Sequence, residues 1–214
     1  CLWLTILLVL RCMKALDIKT AYQLQRKYQL DKSILAYKVG ASNHRSAEFF
    51  DYSDVLLGSI CADNVHFSSV PKDYSIAELE IVVKVLVTDS QIGAYVTESF
   101  HLGIECPFVS VENEHGDPAV CIADNCSSGD LLIFDSVVLG NFSVFNVFSG
   151  NDLKAVGNVG NLLWSVNEIV ERAFSVIIEN NLPLDNGELY IASGGITDVF
   201  QLTKNENLRF EIEQ

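Results

Sequence analysis

Glu78-Leu79-Glu80 opens a β-branched run, Ile81-Val82-Val83-Lys84-Val85-Leu86-Val87. Residues i and i+2 of a strand share a face and sit about 7 Å apart at Cα. Two carboxylates so placed can converge on one hard cation, and Mg²⁺ prefers oxygen ligands. Lys38, between Tyr37 and Val39 before Gly40, is a second candidate. A lysine at a strand end can hold a carboxylate, or move a proton if its pKa is lowered. Asp124 and Asn125 follow an apolar stretch and lead into Ser127-Ser128-Gly129, the composition of either a site loop or a plain turn. Ser193-Gly194-Gly195 after an apolar run permits close backbone approach to an anion, and equally a tight turn. A nucleophile elbow, a phosphate loop and a dinucleotide fingerprint are all absent.

The elements that must position these residues can be read from period and capping. Asp17 is placed to cap a helix beginning near Leu16 and running through Gln25. Residues 34–39 read as a strand closed by Gly40, and 42–50 as a short helix capped by Ser42. Residues 81–87 read as a strand, 91–102 as a helix and Pro107 to Val111 as a strand, before an acidic turn at Glu112 to Pro118. Residues 131–134, 137–139 and 142–148 read as strands. Gly157, Asn158 and Gly160 read as a loop, and Asn161 as the cap of a long amphipathic helix ending at Asn180-Asn181. A strand over 188–192 completes an α+β domain dominated by strands.

Composition narrows the function classes. The 214 residues carry 28 Asp+Glu against 14 Lys+Arg, a net charge of −14. That excess leaves little to neutralise phosphates, so a nucleic-acid partner is not expected. Six cysteines without a CxxC, several of them in apolar runs, read as reduced core thiols and point to a cytoplasmic setting. Residues 1–12 are nearly all apolar but too short to span a bilayer, and their basic residues follow the apolar run rather than precede it. They read as an apolar extension, with a single domain over 13–214 and no membrane partner.

In their order along the chain, several short motifs resemble the 2-keto-4-pentenoate hydratase / 4-oxalocrotonate decarboxylase family of the fumarylacetoacetate hydrolase superfamily. They are Thr20-Ala21-Tyr22-Gln23-Leu24-Gln25, Tyr37-Lys38-Val39-Gly40-Ala41-Ser42, Glu78-Leu79-Glu80-Ile81, Ile122-Ala123-Asp124-Asn125, Leu163-Trp164 and Leu189-Tyr190-Ile191-Ala192-Ser193-Gly194. The resemblance implies a distorted β-roll with peripheral helices, Mg²⁺ or Mn²⁺ as cofactor, a small 2-oxo acid as partner and a homo-oligomer. It implies hydration of short 2-hydroxy-dienoic acids. It assigns metal ligation to Glu78 and Glu80, catalysis to Lys38, Asp124 and Asn125, and substrate binding to Ser42, Ser193 and Gly194. Aligning Pro107 with the family's proline puts Ser110 at the third-ligand position. Weak metal binding is therefore expected, with a catalytically degenerate binding or scaffold protein as the alternative.

Overall fold

The computed structural model describes residues 16–140 and 144–213. The apolar extension expected at 1–12 lies outside the described residues. Helix α1 (Ile18–Gln29) starts at Asp17, whose carboxylate accepts the Thr20 amide at 2.8 Å. Strand β1 (Ile34–Gly40) is followed by the short helix α2 (His44–Phe50). Its cap is Asn43, not Ser42: Asn43 Oδ1 accepts the Ser46 amide, while the Ser42 hydroxyl is drawn away to donate to the Ser193 carbonyl at 2.6 Å. Strand β2 (Leu56–Cys61), a single 3₁₀ turn (Ala62–Asn64) and strand β3 (Val65–Phe67) come next.

The long strands β4 (Tyr74–Asp89) and β5 (Ala94–Cys106) form an antiparallel hairpin, so most of the helix expected at 91–102 is strand. Tyr95, Val96, Thr97 and Phe100 fit a pleated surface, and pairing with β4 sends Leu102, Ile104 and Cys106 into the core. The strand expected at Pro107 to Val111 is irregular; the Phe108 amide donates to the Ser127 carbonyl at 2.8 Å instead of to a ladder. Helix α3 (Pro118–Ala123) starts from Asp117 with proline in its first turn. Strand β6 (Asp130–Val137) is one element rather than two, and β7 (Val144–Ser149) and β8 (Asp152–Asn158) form a hairpin where a loop was expected around Gly157. The best amphipathic helix, α4 (Val166–Glu179), begins later than expected because Ser165 and Glu168 form a reciprocal capping box. Strands β9 (Gly187–Ala192), β10 (Phe200–Leu202) and β11 (Leu208–Glu213) finish the chain.

The main sheet runs β2-β1-β9-β4-β5-β6-β3, with β10 also paired to β4; β11-β7-β8 form a second sheet. The β1–β9 and β3–β6 pairs are parallel. The edge strands β2 and β3 are joined by only the three residues 62–64, so the sheet must curl until its edges approach. The burial pattern records the result. Ala77, Leu79, Ile81, Val83, Val85 and Val87 of β4 face a core shared with α4. The other face holds a separate cluster made of strand residues alone, in which Ile60 of β2 and Val65 of β3 join Val82, Leu131, Ile133 and Tyr190. Residues from opposite edges meet there because the roll has closed around them. Its lining is small where it is tightest: Ala36, Ala192 and Gly103, where a side chain would run into Val82.

Candidate metal centre

One end of the roll's interior carries charge instead of apolar groups. Strand alternation turns Glu78 and Glu80 to the same interior face as Val82. The β4–β5 register sets Glu105 directly opposite Glu78, and β1 brings in Lys38. One carboxylate oxygen from each of Glu78, Glu80 and Glu105 lies within 4.8 Å of the others. Glu80 and Glu105 are fully buried and Glu78 partly so.

The groups around these carboxylates satisfy them incompletely. Lys38 Nζ donates to Glu105 Oε2 at 2.8 Å, with the lysine side chain 12% exposed. The Gly194 amide donates to Glu80 Oε2 at 2.9 Å, and the Gly129 amide reaches Glu105 Oε1 at 3.4 Å. Glu80 Oε1 is buried and has no hydrogen-bond partner. Burial, reinforced by the Glu105 and Glu78 charges, pushes the Glu80 carboxyl up to about 8, despite Lys38 and the Gly194 amide. Burial also raises Glu105, although Lys38 works against it. Burial disfavours the Lys38 ammonium, but Glu105, Glu80 and Glu78 together hold it charged, above its usual range.

Three acidic groups against one ammonium, all of hard oxygen donors and with one buried oxygen lacking a partner, fit a divalent cation. Glu78, Glu80 and Glu105 would hold it. Among the described residues no other three metal-binding side chains come together in this way.

The centre opens into a cavity of about 690 Å³. Of the residues singled out in the sequence, Lys38, Glu78, Glu80, Ser42 and Gly194 line it. Gly194 has φ +95, and a Cβ there would collide with the Ser42 hydroxyl, so glycine is required. Ser193 is fully buried; its hydroxyl accepts the Ile81 amide at 3.1 Å, which ties the Ser193-Gly194 turn to β4.

Asp124, Asn125 and Ser110 line a different cavity, of about 460 Å³. Asp124 accepts from the Ser110 hydroxyl, and burial raises its carboxyl against the hydrogen bonds it receives. Asn125 is a clamp. Its Oδ1 accepts the Ser59 amide at 2.8 Å and Gln25 Nε2 at 3.1 Å, and its Nδ2 donates to the Ser59 carbonyl at 2.8 Å. It anchors a turn in which Asn125, Cys126 and Ser127 all have positive φ, 55, 51 and 53. That turn delivers Cys126 and Ser127 to the 690 Å³ cavity while leaving Asp124 outside it.

The carboxylate that converges with Glu78 and Glu80 is Glu105, while Ser110, expected at the third-ligand position, lines the other cavity. The strand β5 runs from Ala94 to Cys106, across most of the helix expected at 91–102 and on past it to Glu105. Read as a helix, the segment hides the alternation of His101, Gly103 and Glu105 against Leu102, Ile104 and Cys106. Taken as a strand, that alternation puts an acidic residue on the face opposite a core stripe, the signal by which Glu105 was findable. Cys61, Cys106, Cys121 and Cys126 are free thiols.

No protein-family model matches the chain, and no curated protein matches it. Solved structures do. A 4-oxalocrotonate decarboxylase from Pseudomonas putida G7, complexed with magnesium and adipate, superposes with a TM-score of 0.73 at 16% identity, covering 92% of this chain and 82% of that one. The same enzyme complexed with calcium and acetate gives 0.71. A fumarylpyruvate hydrolase from Pseudomonas aeruginosa, in complex with Mn²⁺ and pyruvate, gives 0.54 at 13% identity over 84% of this chain and 85% of that one. The chain has the α+β distorted β-roll of the fumarylacetoacetate hydrolase superfamily. Its resemblance to the 4-oxalocrotonate decarboxylase branch is a likeness of fold.

Proposed function

We propose that this protein is a divalent-metal-dependent enzyme of the lyase or hydrolase kind, acting as a hydratase on short 2-oxo or 2-hydroxy-dienoic acids. The observation that carries the reading is the convergence of Glu78, Glu80 and Glu105 within 4.8 Å, with a buried Glu80 oxygen left without a partner. A divalent cation held there would act as a Lewis acid for the enolate charge of a 2-oxo acid. Glu80 and Glu105 fix the buried side of that centre, and the Gly194 amide orients Glu80. Lys38, kept as an ammonium beside Glu105, can hold an anion at the cavity floor. The buried end of the cavity shields this ion pair from bulk water.

The alternative of a non-catalytic relative rests on Ser110 at the third-ligand position. The third carboxylate at Glu105 removes that ground, and with it the reason to expect weak binding. A small 2-oxo acid partner and a homo-oligomeric assembly belong to the same proposal. So does a cytoplasmic setting; among the described residues no helix is long and apolar enough to cross a membrane.

The test is a Mn²⁺ or Mg²⁺ titration followed by thermal melting, because an ion that binds the native state alone must raise its apparent stability. The melting temperature should climb with ion concentration. In the presence of the ion, 2-hydroxypenta-2,4-dienoate should be consumed, and Lys38→Met should abolish that turnover. A melting temperature indifferent to either ion would overturn the metal centre; binding without turnover would overturn the hydratase.

A further inference from the structure

Two of the free thiols stand in the wall of the cavity that holds the carboxylates. Cys121 lies on α3 and is partly exposed, while Cys126, in the turn that follows, is 4% exposed. The Cys121 thiol is within hydrogen-bonding reach of the Cys126 sulfur. The backbone brings them together. Helix α3 ends at Ala123, and the chain then turns through Asn125, Cys126 and Ser127, all at positive φ, which folds Cys126 back towards the helix. Residues other than glycine hold such φ values only where their surroundings enforce them. Here Asn125 is fixed to Ser59 on one side, and on the other the Ser127 carbonyl accepts the Phe108 amide at 2.8 Å. The fold therefore keeps the two sulfurs within reach of each other.

Neither sulfur is among the three groups that would hold the ion. What two neighbouring thiols can do is give up two electrons and join. Burial and the adjacent Cys121 sulfur raise the Cys126 thiol, against the pull of Lys38. A thiol so raised is a poor first nucleophile, so the oxidant is met by Cys121, which is also the more exposed. The Cys121 sulfur attacks one oxygen of a peroxide, the O–O bond breaks, and the other oxygen leaves with the thiol proton as water. Cys126 Sγ then attacks the resulting sulfenic sulfur; its S–OH bond breaks, and the hydroxide leaves with the Cys126 proton as a second water. Two thiols and one hydrogen peroxide give one disulfide and two waters. The bridge sets the sulfurs at about 2.05 Å, so closing it requires both side chains to rotate in from their present contact.

We infer that Cys121 and Cys126 form a dithiol modification site in the cavity wall, closed to a disulfide by a peroxide and reopened by a thiol reductant. Reversible redox chemistry is the usual role of a disulfide in a reducing compartment. The inference goes beyond the hydratase reading and does not depend on it.

Treating the reduced protein with one equivalent of hydrogen peroxide, blocking the remaining thiols with iodoacetamide and mapping the peptides decides it. After denaturation, proteolysis before aspartate parts Cys121, in 117–123, from Cys126, in 124–129. The main product should be these two peptides joined, with no alkyl group on either, and dithiothreitol should separate them. Cys121→Ser and Cys126→Ala should each abolish the joined species, and Cys61→Ser should retain it. Cys121→Ser, at the more exposed position, carries the comparison if Cys126→Ala does not fold. The two peptides recovered apart, both alkylated or each oxidised separately to the sulfinic acid, would overturn the inference. So would a bridge that joins either cysteine to Cys61 or Cys106 instead.

Discussion

Two buried acidic sites lie in the same rolled sheet and are treated in opposite ways. Asp130, at the start of β6, accepts from Asn64 Nδ2 at 2.7 Å, from the Tyr74 hydroxyl at 3.0 Å and from Lys72 Nζ at 2.6 Å. Burial would raise its carboxyl, but these donors outweigh burial and hold it below its usual value. Glu80, more deeply buried, has two like charges for neighbours, a share of one ammonium and one amide. Its carboxyl is raised, and one of its oxygens has no partner. Asp130 is an anion that the fold itself neutralises. The Glu78–Glu80–Glu105 group is left short of positive charge by the same fold, and in the proposed reading a cation makes up that shortage.

The largest expected effect comes from removing the charge at the incomplete site. Glu80→Gln should weaken Mn²⁺ binding by at least on the order of 100-fold, the upper end of what losing even an outer-shell partner does. The metal-free protein should melt no lower than the parent, since glutamine replaces a carboxyl whose charged form burial already disfavours. Calorimetry and thermal melting check both, and an unchanged Mn²⁺ affinity would erase the contrast drawn between the two sites.

Asp130→Ala should do the reverse. It leaves Asn64 and the buried Tyr74 hydroxyl without their acceptor, while the exposed Lys72 turns to water, and is expected to remove about 2–3 kcal/mol of stability. For a chain of this size that lowers melting by about 4–12 °C. Mn²⁺ affinity should stay that of the parent, and a variant that also lost Mn²⁺ would show the two sites to be coupled.

The pH response should differ in sign between the two. Because Glu80 is raised in the fold, the metal-free native state holds more protons than the unfolded chain between the ordinary glutamate value and about pH 8. Its stability should therefore fall as pH rises through that window. Asp130 is lowered in the fold, so its contribution is present above the ordinary aspartate value and is lost as pH falls through its folded value. Denaturant melts across pH, with and without Mn²⁺, separate them: the ion should abolish the loss at higher pH and leave the acid loss in place. A metal-free protein that gained stability from pH 5 to 8 would contradict the Glu80 assignment.

The smallest effect is expected at Ser110. With Glu105 already beside Glu78 and Glu80, Ser110→Glu should alter Mn²⁺ affinity by no more than about twofold, as for independent sites. It should lower stability modestly, because a new carboxylate would face Asp124 in place of the hydroxyl that donates to it. Marked tightening of Mn²⁺ would restore Ser110 to the third-ligand position.

Local signals in the sequence determined a good part of this molecule. The β-branched run at 81–87, the Asp17 cap, the amphipathic stripe of α4 and the Glu78-Leu79-Glu80 spacing are properties of neighbouring residues, and each formed as its neighbours dictate. Short-range competition shifted some boundaries. Ser42 is a good capping residue, but a carbonyl at Ser193 binds its hydroxyl more favourably, so Asn43 caps α2. What only the tertiary structure decided is which residues complete the site. Glu105 joins Glu78 through the β4–β5 register, a long-range pairing that its own neighbours do not encode. Asp124 and Asn125 stand at the start of a turn whose Cys126 and Ser127 reach the cavity, and they line the other cavity because Asn125 is clamped to Ser59 and Gln25. The shortage of positive charge around Glu80 exists only once the sheet has rolled, because burial and like charges brought together from β4 and β5 are what raise its carboxyl.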